Sequence, residues 1–325
     1  MKEKTYMEAI KEAISEEMRK DGKVIMMGED IAEYGGVFKL SKGMLDEFGP
    51  QRIINTPMSE AAITGCAIGM AITGMRPIVE IMFMDFTTLI LDQIMNHASK
   101  FSYIYGGTVK VPLVVRTPAG AGRGYGASHS QSLESWFMHI PGMKIVMPST
   151  PYDAKGLMRS CLKSNSPSLF IESKLLYTKK GDVPDDYYEI PIGKADIKKK
   201  GSDITIITYG RMVDISLELA HELEKEGISI EVLDLRSILP FDRDLIHKSV
   251  KNTGKVIIVE EDTKTAGVGA EISASICEND FELLKAPIRR VAFEDIPIPY
   301  CRNLEMSAIP SKERILEEIL NLIDR

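Results

Sequence analysis

Cysteine is scarce in this 325-residue chain, and the four present (Cys66, Cys161, Cys277, Cys301) are scattered with no Cys-x-x-Cys pair. That spacing excludes a disulfide framework and a cysteine-rich zinc site, and it fits a reducing compartment. The cytoplasm is the expected location. No apolar run approaches the ~18 residues that a membrane span needs. The charged start, Met1-Lys-Glu-Lys-Thr5, leads straight into a helical pattern, so no signal peptide is expected. A basic excess is missing as well: 40 Lys and Arg stand against 47 Asp and Glu, a net charge of −7. That balance argues against a general nucleic-acid binder.

Several strong motifs are also absent. There is no Gly-x-x-x-x-Gly-Lys-Ser/Thr phosphate loop, no His-Glu-x-x-His and no Gly-x-Ser-x-Gly elbow. His221-Glu222 starts a zinc-like pattern, but Lys225 stands where the second histidine belongs. Gly267-Val-Gly269 starts a dinucleotide fingerprint whose third glycine position holds Ile272, so a tight turn into a helix is the better reading.

What remains is an ordinary globular balance, 44% apolar and 27% charged, in a chain long enough for about two domains. Residues 6–19 place Tyr6, Ile10, Ala13, Ile14 and Met18 at helical spacing. Buried-strand runs follow at 24–27, 78–83, 111–115, 144–147 and 168–171, with helices predicted at 87–101 and 154–162. A polar, charged stretch at 179–201 reads as the connection between domains. A second series then alternates strands (203–209, 229–235, 255–259, 290–293) with helices (213–226, 242–250, 269–277), and ends in a helix at 312–323 behind Ser311. Short apolar strands separated by helices predict an α/β fold of two three-layer domains with mainly parallel sheets. The expected division is 1–178, a linker at 179–201, and 202–325.

Two constellations carry candidate chemistry. Asn55-Thr-Pro-Met-Ser-Glu60 opens a Gly- and Ala-rich helix, with Ser59 or Thr56 as a cap and Glu60 in the first turn. From the motif's shape alone, a carboxylate there is more simply explained by attraction to the helix macrodipole. Gly120-Ala-Gly-Arg-Gly-Tyr-Gly126 leads to His129-Ser-Gln-Ser132. Four glycines in seven residues suggest a mobile lid that delivers an imidazole. A solvated histidine on a surface loop fits the same residues.

Together with their neighbours, these motifs resemble a known family. Gly28-Glu-Asp30, Tyr34-Gly-Gly-Val-Phe38, Thr56-Pro-Met-Ser-Glu60, Phe83-Met-Asp-Phe86, Tyr105-Gly-Gly107 and His129-Ser-Gln-Ser132 look like the beta subunit of 2-oxo acid and acetoin dehydrogenase complexes. So do His139-Ile-Pro-Gly142, Pro148-Ser-Thr-Pro151, Glu231-Val-Leu-Asp-Leu-Arg236 and Pro297-Ile-Pro-Tyr300, so that the resemblance covers essentially the whole chain.

The resemblance implies a thiamine-diphosphate-dependent first component, an α2β2 heterotetramer whose beta chain has a pyrimidine-binding domain and a transketolase-like C-terminal domain. The family's alpha subunit holds magnesium and the diphosphate through a Gly-Asp-Gly motif. This chain has none, Gly181-Asp-Val183 being the nearest match. The cofactor is therefore expected to be shared with an alpha partner. By motif position Glu60 is the cofactor-activating glutamate, which pairs with the aminopyrimidine ring so that the thiazolium carbon can lose its proton. Phe86 aligns with the aromatic packed on that ring, and Glu29 with a carboxylate close to the same pocket. His129 aligns with the active-site histidine, which protonates the leaving sulfur of a lipoyl group carried by a dihydrolipoyl acyltransferase.

A structural potassium site in relatives uses carbonyls aligning with Leu113, Cys161 and Leu162 plus an acidic side chain. Here that last position is Ser164, so no metal ligand is assigned. Lys174-Leu-Leu-Tyr177 and Tyr209-Gly-Arg-Met-Val213 look closest to acetoin dehydrogenases, with pyruvate dehydrogenases near. Pyruvate, a branched-chain 2-oxo acid and acetoin all stay open as substrates. A non-catalytic assembly subunit and a single-chain transketolase-type enzyme are the alternatives.

Overall fold

A computed structural model describes residues 1–323. The chain divides into two compact units, one of residues 1–119 with 136–192 and one of residues 120–135 with 193–325.

The first unit opens with β1 (Lys2–Thr5) and α1 (Tyr6–Lys20). Thr5 Oγ1 accepts from the Glu8 N–H while the Glu8 carboxylate accepts from the Thr5 N–H, a capping box that fixes where α1 begins. Its apolar stripe Tyr6, Ile10, Ala13, Ile14 and Met18 is fully buried, as the spacing predicts. There follow β2 (Val24–Gly28), β3 (Ile53–Asn55), α2 (Glu60–Ile72), β4 (Arg76–Glu80), β5 (Val114–Ala119), β6 (Lys144–Val146), α3 (Pro151–Lys163), β7 (Ser168–Ser173) and β8 (Lys180–Val183). The strands lie in the order β6-β7-β5-β4-β2-β3, all parallel. Every residue of β2, β5 and β7 is buried, the signature of a sheet covered on both faces. Helices α1 and α3 pack on each other over a core that includes Ile10, Ile14, Leu157, Met158 and Phe170.

The helix predicted at 87–101 is replaced by a 3-10 helix (Met84–Ile90), a π-helical turn (Gln93–Ala98) and a short α-helix (Phe101–Ile104). Thr87 and Thr88 donate their hydroxyls to the carbonyls of Met84 and Asp85, at 2.6 and 3.0 Å. Such hydroxyl bonds to carbonyls one turn back compete with regular α geometry.

The second unit holds β9 (Asp196–Lys199), β10 (Ile204–Thr208), α4 (Met212–Glu224), β11 (Ile230–Asp234), α5 (Arg243–Thr253), β12 (Val256–Thr263), α6 (Val268–Asp280), β13 (Arg289–Phe293), α7 (Arg302–Ala308) and α8 (Lys312–Ile323). Its five-stranded sheet runs β13-β12-β10-β11-β9, parallel except for β9. The fold class is thus α/β with two mainly parallel sheets.

The division along the chain is less simple than a serial one. Residues 120–135 join the second unit, and the stretch 179–201 is no bare linker. Its first strand, β8, pairs antiparallel with β1, and its lysine run forms β9 at the sheet edge. Lys198 bonds Asp196 at 2.9 Å and Lys199 bonds Glu224 at 3.0 Å. Charge at that position protects an edge strand from further pairing.

Candidate active site

The first unit gathers Glu29, Glu60 and Phe86 through its topology. β4, β2 and β3 are parallel neighbours with Gly28 opposite both Asn55 and Glu80, so their carboxyl ends lie side by side. Glu29 follows β2, Glu60 begins α2 after β3, and Phe86 lies six residues beyond β4. Ligands of open α/β sheets bind at such ends.

Glu29 is only 7% exposed, and its Oε1 is buried with no hydrogen-bond partner. Burial pushes its carboxyl above the ordinary glutamate value, and the neighbouring Glu60 charge adds to this; a bond from the Ser59 N–H pulls the other way. Glu60 is half-buried at the first position of α2. Neither hydroxyl expected to cap α2 does so. Ser59 makes no side-chain cap bond, and Thr56 Oγ1 is buried without a partner, while the Thr56 N–H donates to Gly28 O at 3.0 Å. The carboxylate pair and an unused hydroxyl stand where a conventional cap was expected.

Phe86 is half-buried at the end of an aromatic series: it meets Phe83 edge-on at 6.0 Å, Phe83 meets Phe38 at 5.7 Å, and Phe38 meets Tyr177 at 5.2 Å. Beneath lies a buried ionic network that sequence reading missed. Arg116 Nε and Nη2 donate to both oxygens of Glu172 at 2.7 Å, Nη1 bonds Glu80, and the Tyr177 hydroxyl donates to Glu172 at 2.7 Å. Gly36 lies against it with φ +78, and a Cβ there would stand 2.9 Å from Glu80 Oε1. The Gly-Gly pair at 35–36 was the available signal.

The outer face of α2 carries Ala61, Ala62, Gly65, Cys66, Gly69 and Ile72, all exposed, with Met58 exposed just before it. This is an uncovered, largely apolar helix face adjoining Glu60.

His129 belongs to the second unit. It is half-buried, with Nδ1 2.9 Å from Ser128 Oγ and its N–H bonded to Gly126 O at 3.3 Å. Its glycine-rich segment makes specific bonds within the second unit. The N–H groups of Gly122 and Gly124 donate to the Glu305 carboxylate at 2.8 and 2.9 Å. Downstream, Glu134 is fully buried with Oε1 3.1 Å from the Tyr209 hydroxyl, and Ser135 bonds Asp262 through both its hydroxyl and its N–H. Burial and the nearby Asp262 charge hold the Glu134 carboxyl well above its ordinary range; Glu260 is pushed up to about 7 and Asp262 to about 6, burial again leading.

At the aligned potassium position, Leu162 O and Ser164 O accept from Arg76 at 2.8 and 2.7 Å, Leu113 O accepts from the Ser168 N–H, and Lys144 Nζ lies 2.9 Å from Ser164 Oγ. Cationic side chains thus engage Leu162 and Ser164, while backbone N–H groups engage the carbonyls of Leu113 and Cys161. Among the described residues no group of three or more His, Cys, Asp or Glu is placed to hold a metal ion.

Comparison with known proteins identifies the two domains. Residues 2–180 match the transketolase pyrimidine-binding domain, and residues 193–315 match the transketolase C-terminal domain. A solved structure described as a split-gene transketolase, inactive beta4 tetramer, superposes with a TM-score of 0.81 over 98% of both chains at 20% identity, a likeness of fold. The mitochondrial pyruvate dehydrogenase E1 component subunit beta-2 of Oryza sativa subsp. japonica is 44% identical, covering 97% of this chain and 85% of its own. The acetoin:2,6-dichlorophenolindophenol oxidoreductase subunit beta of Bacillus subtilis (strain 168) is 43% identical over 97% of this chain and 96% of its own. The 2-oxoisovalerate dehydrogenase subunit beta of the same organism is 45% identical over 96% of each. The chain belongs to the family of beta subunits of 2-oxo acid and acetoin dehydrogenases, built on the transketolase fold.

Proposed function

We propose that this chain is the beta half of a thiamine-diphosphate-dependent oxidoreductase that cleaves a 2-oxo acid or acetoin and passes the acyl group to lipoamide. The observation that carries the reading is the Glu29–Glu60 pair at the carboxyl ends of β2 and β3, with Glu29 Oε1 and Thr56 Oγ1 buried and unsatisfied. Buried polar atoms without partners call for a ligand with donors of its own, and an aminopyrimidine is such a ligand. When bound, thiamine diphosphate supplies a carbon nucleophile at its thiazolium ring. In this reading Glu60 holds a proton between its carboxyl and the pyrimidine ring nitrogen. Glu29, its carboxyl raised by burial and by the Glu60 charge, stands beside that proton. The half-buried Phe86 would offer its ring to the pyrimidine. His129 donates a proton from its imidazole to the sulfur that leaves during lipoyl transfer.

The cofactor's diphosphate and magnesium are assigned to an alpha subunit. The motif for them is missing here, and the exposed apolar face of α2 next to Glu60 offers a surface for such a chain. An α2β2 assembly and a dihydrolipoyl acyltransferase are the expected partners; neither nucleic acid nor a membrane is, and no helix among the described residues is long and apolar enough to cross one. The four free cysteines suit a reducing compartment, and we place the chain in the cytoplasm. A purely structural assembly subunit would not need the buried, unsatisfied carboxylate.

The test is to co-express the chain with its alpha-type neighbour and assay the pair on pyruvate, branched-chain 2-oxo acids and acetoin. In Glu60→Gln the fold should persist while turnover drops by a factor on the order of 10² or more. Near-normal turnover would overturn the assignment.

A further inference from the structure

We propose that Glu305 is a positioning residue for His129, acting as the internal anion around which the segment 120–126 folds. This rests on the role proposed above for His129. Glu305 is 0% exposed, on α7. Its Oε1 accepts the Gly122 N–H and its Oε2 the Gly124 N–H, at 2.8 and 2.9 Å. These two bonds depend on an alternating backbone: Gly120, Gly122, Gly124 and Gly126 all have positive φ, at 94°, 102°, 71° and 73°. Only glycine adopts that conformation without steric cost. Successive N–H groups so turned form a concave nest for negative charge, and the buried carboxylate fills it.

The nest leads directly to the histidine. Gly126 lies against Tyr300, where an added Cβ would come within 2.9 Å of the ring, and Gly126 O accepts the His129 N–H. At the far end, Ser135 is bonded to Asp262 and Glu134 to Tyr209. His129 therefore sits between two anchored points. The near anchor consists of one carboxylate and two backbone donors, so a change at Glu305 should be felt at the imidazole without altering its chemistry.

A carboxylate offers an acceptor to each N–H, whereas glutamine offers one oxygen and presents an NH2 group to the other donor. Glu305→Gln should therefore release one of the two glycine N–H groups, while Glu305→Asp keeps the charge on a shorter stem. The experiment uses the assembled alpha–beta enzyme and compares Glu305→Gln, Glu305→Asp, His129→Ala and the double variant His129→Ala/Glu305→Gln. Two readouts are taken: acyl transfer to a lipoyl domain against turnover with a small artificial electron acceptor, and amide hydrogen exchange in peptides covering 120–130.

Expected are exchange at least ~10-fold faster at Gly122–Gly126 in Glu305→Gln and a transfer rate lowered ~10-fold. Artificial-acceptor turnover should stay within about twofold, and Glu305→Asp should be intermediate. In the His129→Ala background the glutamine substitution should cost no further transfer, because coupled residues are not additive. Equal losses with both acceptors, or full additivity in the double variant, would overturn the proposal. If His129→Ala itself spares transfer, the histidine assignment fails; the positioning role toward it falls as well, and faster exchange in Glu305→Gln would then mark Glu305 as a loop anchor alone.

Discussion

Glu260 offers a quantitative test of the buried acid cluster. It is fully buried on β12; its Oε2 accepts the Gly269 N–H at 2.7 Å and lies 3.5 Å from the Tyr209 hydroxyl, and Arg290 reaches its Oε1 at 3.3 Å. Glu134 and Asp262 complete the cluster, and burial raises Glu260 from 4.5 to about 7 despite Arg290. A carboxyl raised in the folded state binds more protons there than in the unfolded chain, so stability falls as pH climbs from about 4.5 to about 7 and is flat above. The difference of about 2.5 corresponds to a ceiling of ~3.5 kcal/mol at about 1.4 kcal/mol per pH unit. Shared protons with Asp262 and Glu134 reduce this to roughly 1–3 kcal/mol. Glu260→Gln keeps an acceptor for the Gly269 N–H and removes the titrating charge. Urea unfolding at pH 5, 6, 7 and 8, followed by hydrogen exchange in peptides of β12 and α6, should show the wild-type midpoint dropping with pH and the variant dropping much less. Parallel curves for the two proteins would refute the claim that this carboxyl is protonated in the folded state near neutrality.

Two further outcomes follow from the first unit. Arg116→Met leaves Glu80 and Glu172 buried without their cation and should destabilise the chain by about 3–5 kcal/mol, measured as a drop in the urea midpoint; Arg116→Met/Glu80→Gln/Glu172→Gln should recover most of it. Calorimetric titration of the isolated chain with thiamine diphosphate and magnesium should show weak binding that becomes tight when the alpha subunit is added. Tight magnesium-dependent binding by the isolated chain would contradict a shared cofactor site.

How much of this was legible in the residues can be judged element by element. The stripe of α1, the buried strands 24–28 and 168–173 and the final helix behind Ser311 were readable because each writes its burial as a period in apolar residues. The 84–104 region was misread because threonine hydroxyls compete locally with α geometry, and β9 was missed because an edge strand rich in lysine has the composition of a turn. Glu29, Glu60, Phe86 and His129 were singled out by motif, and the sequence could say what chemistry such side chains support.

Composition and periodicity determined the α/β class and the approximate two-part organisation, since these depend only on neighbours along the chain. Tertiary structure decided the rest. It set Glu29 beside Glu60 across two strand ends and turned a glycine-rich run into an anchored loop. It drew Glu134, Glu260 and Asp262 into one desolvated cluster. Each of these depends on groups far apart in sequence sharing a low-dielectric space, where a charge's cost is set by what the fold brings next to it.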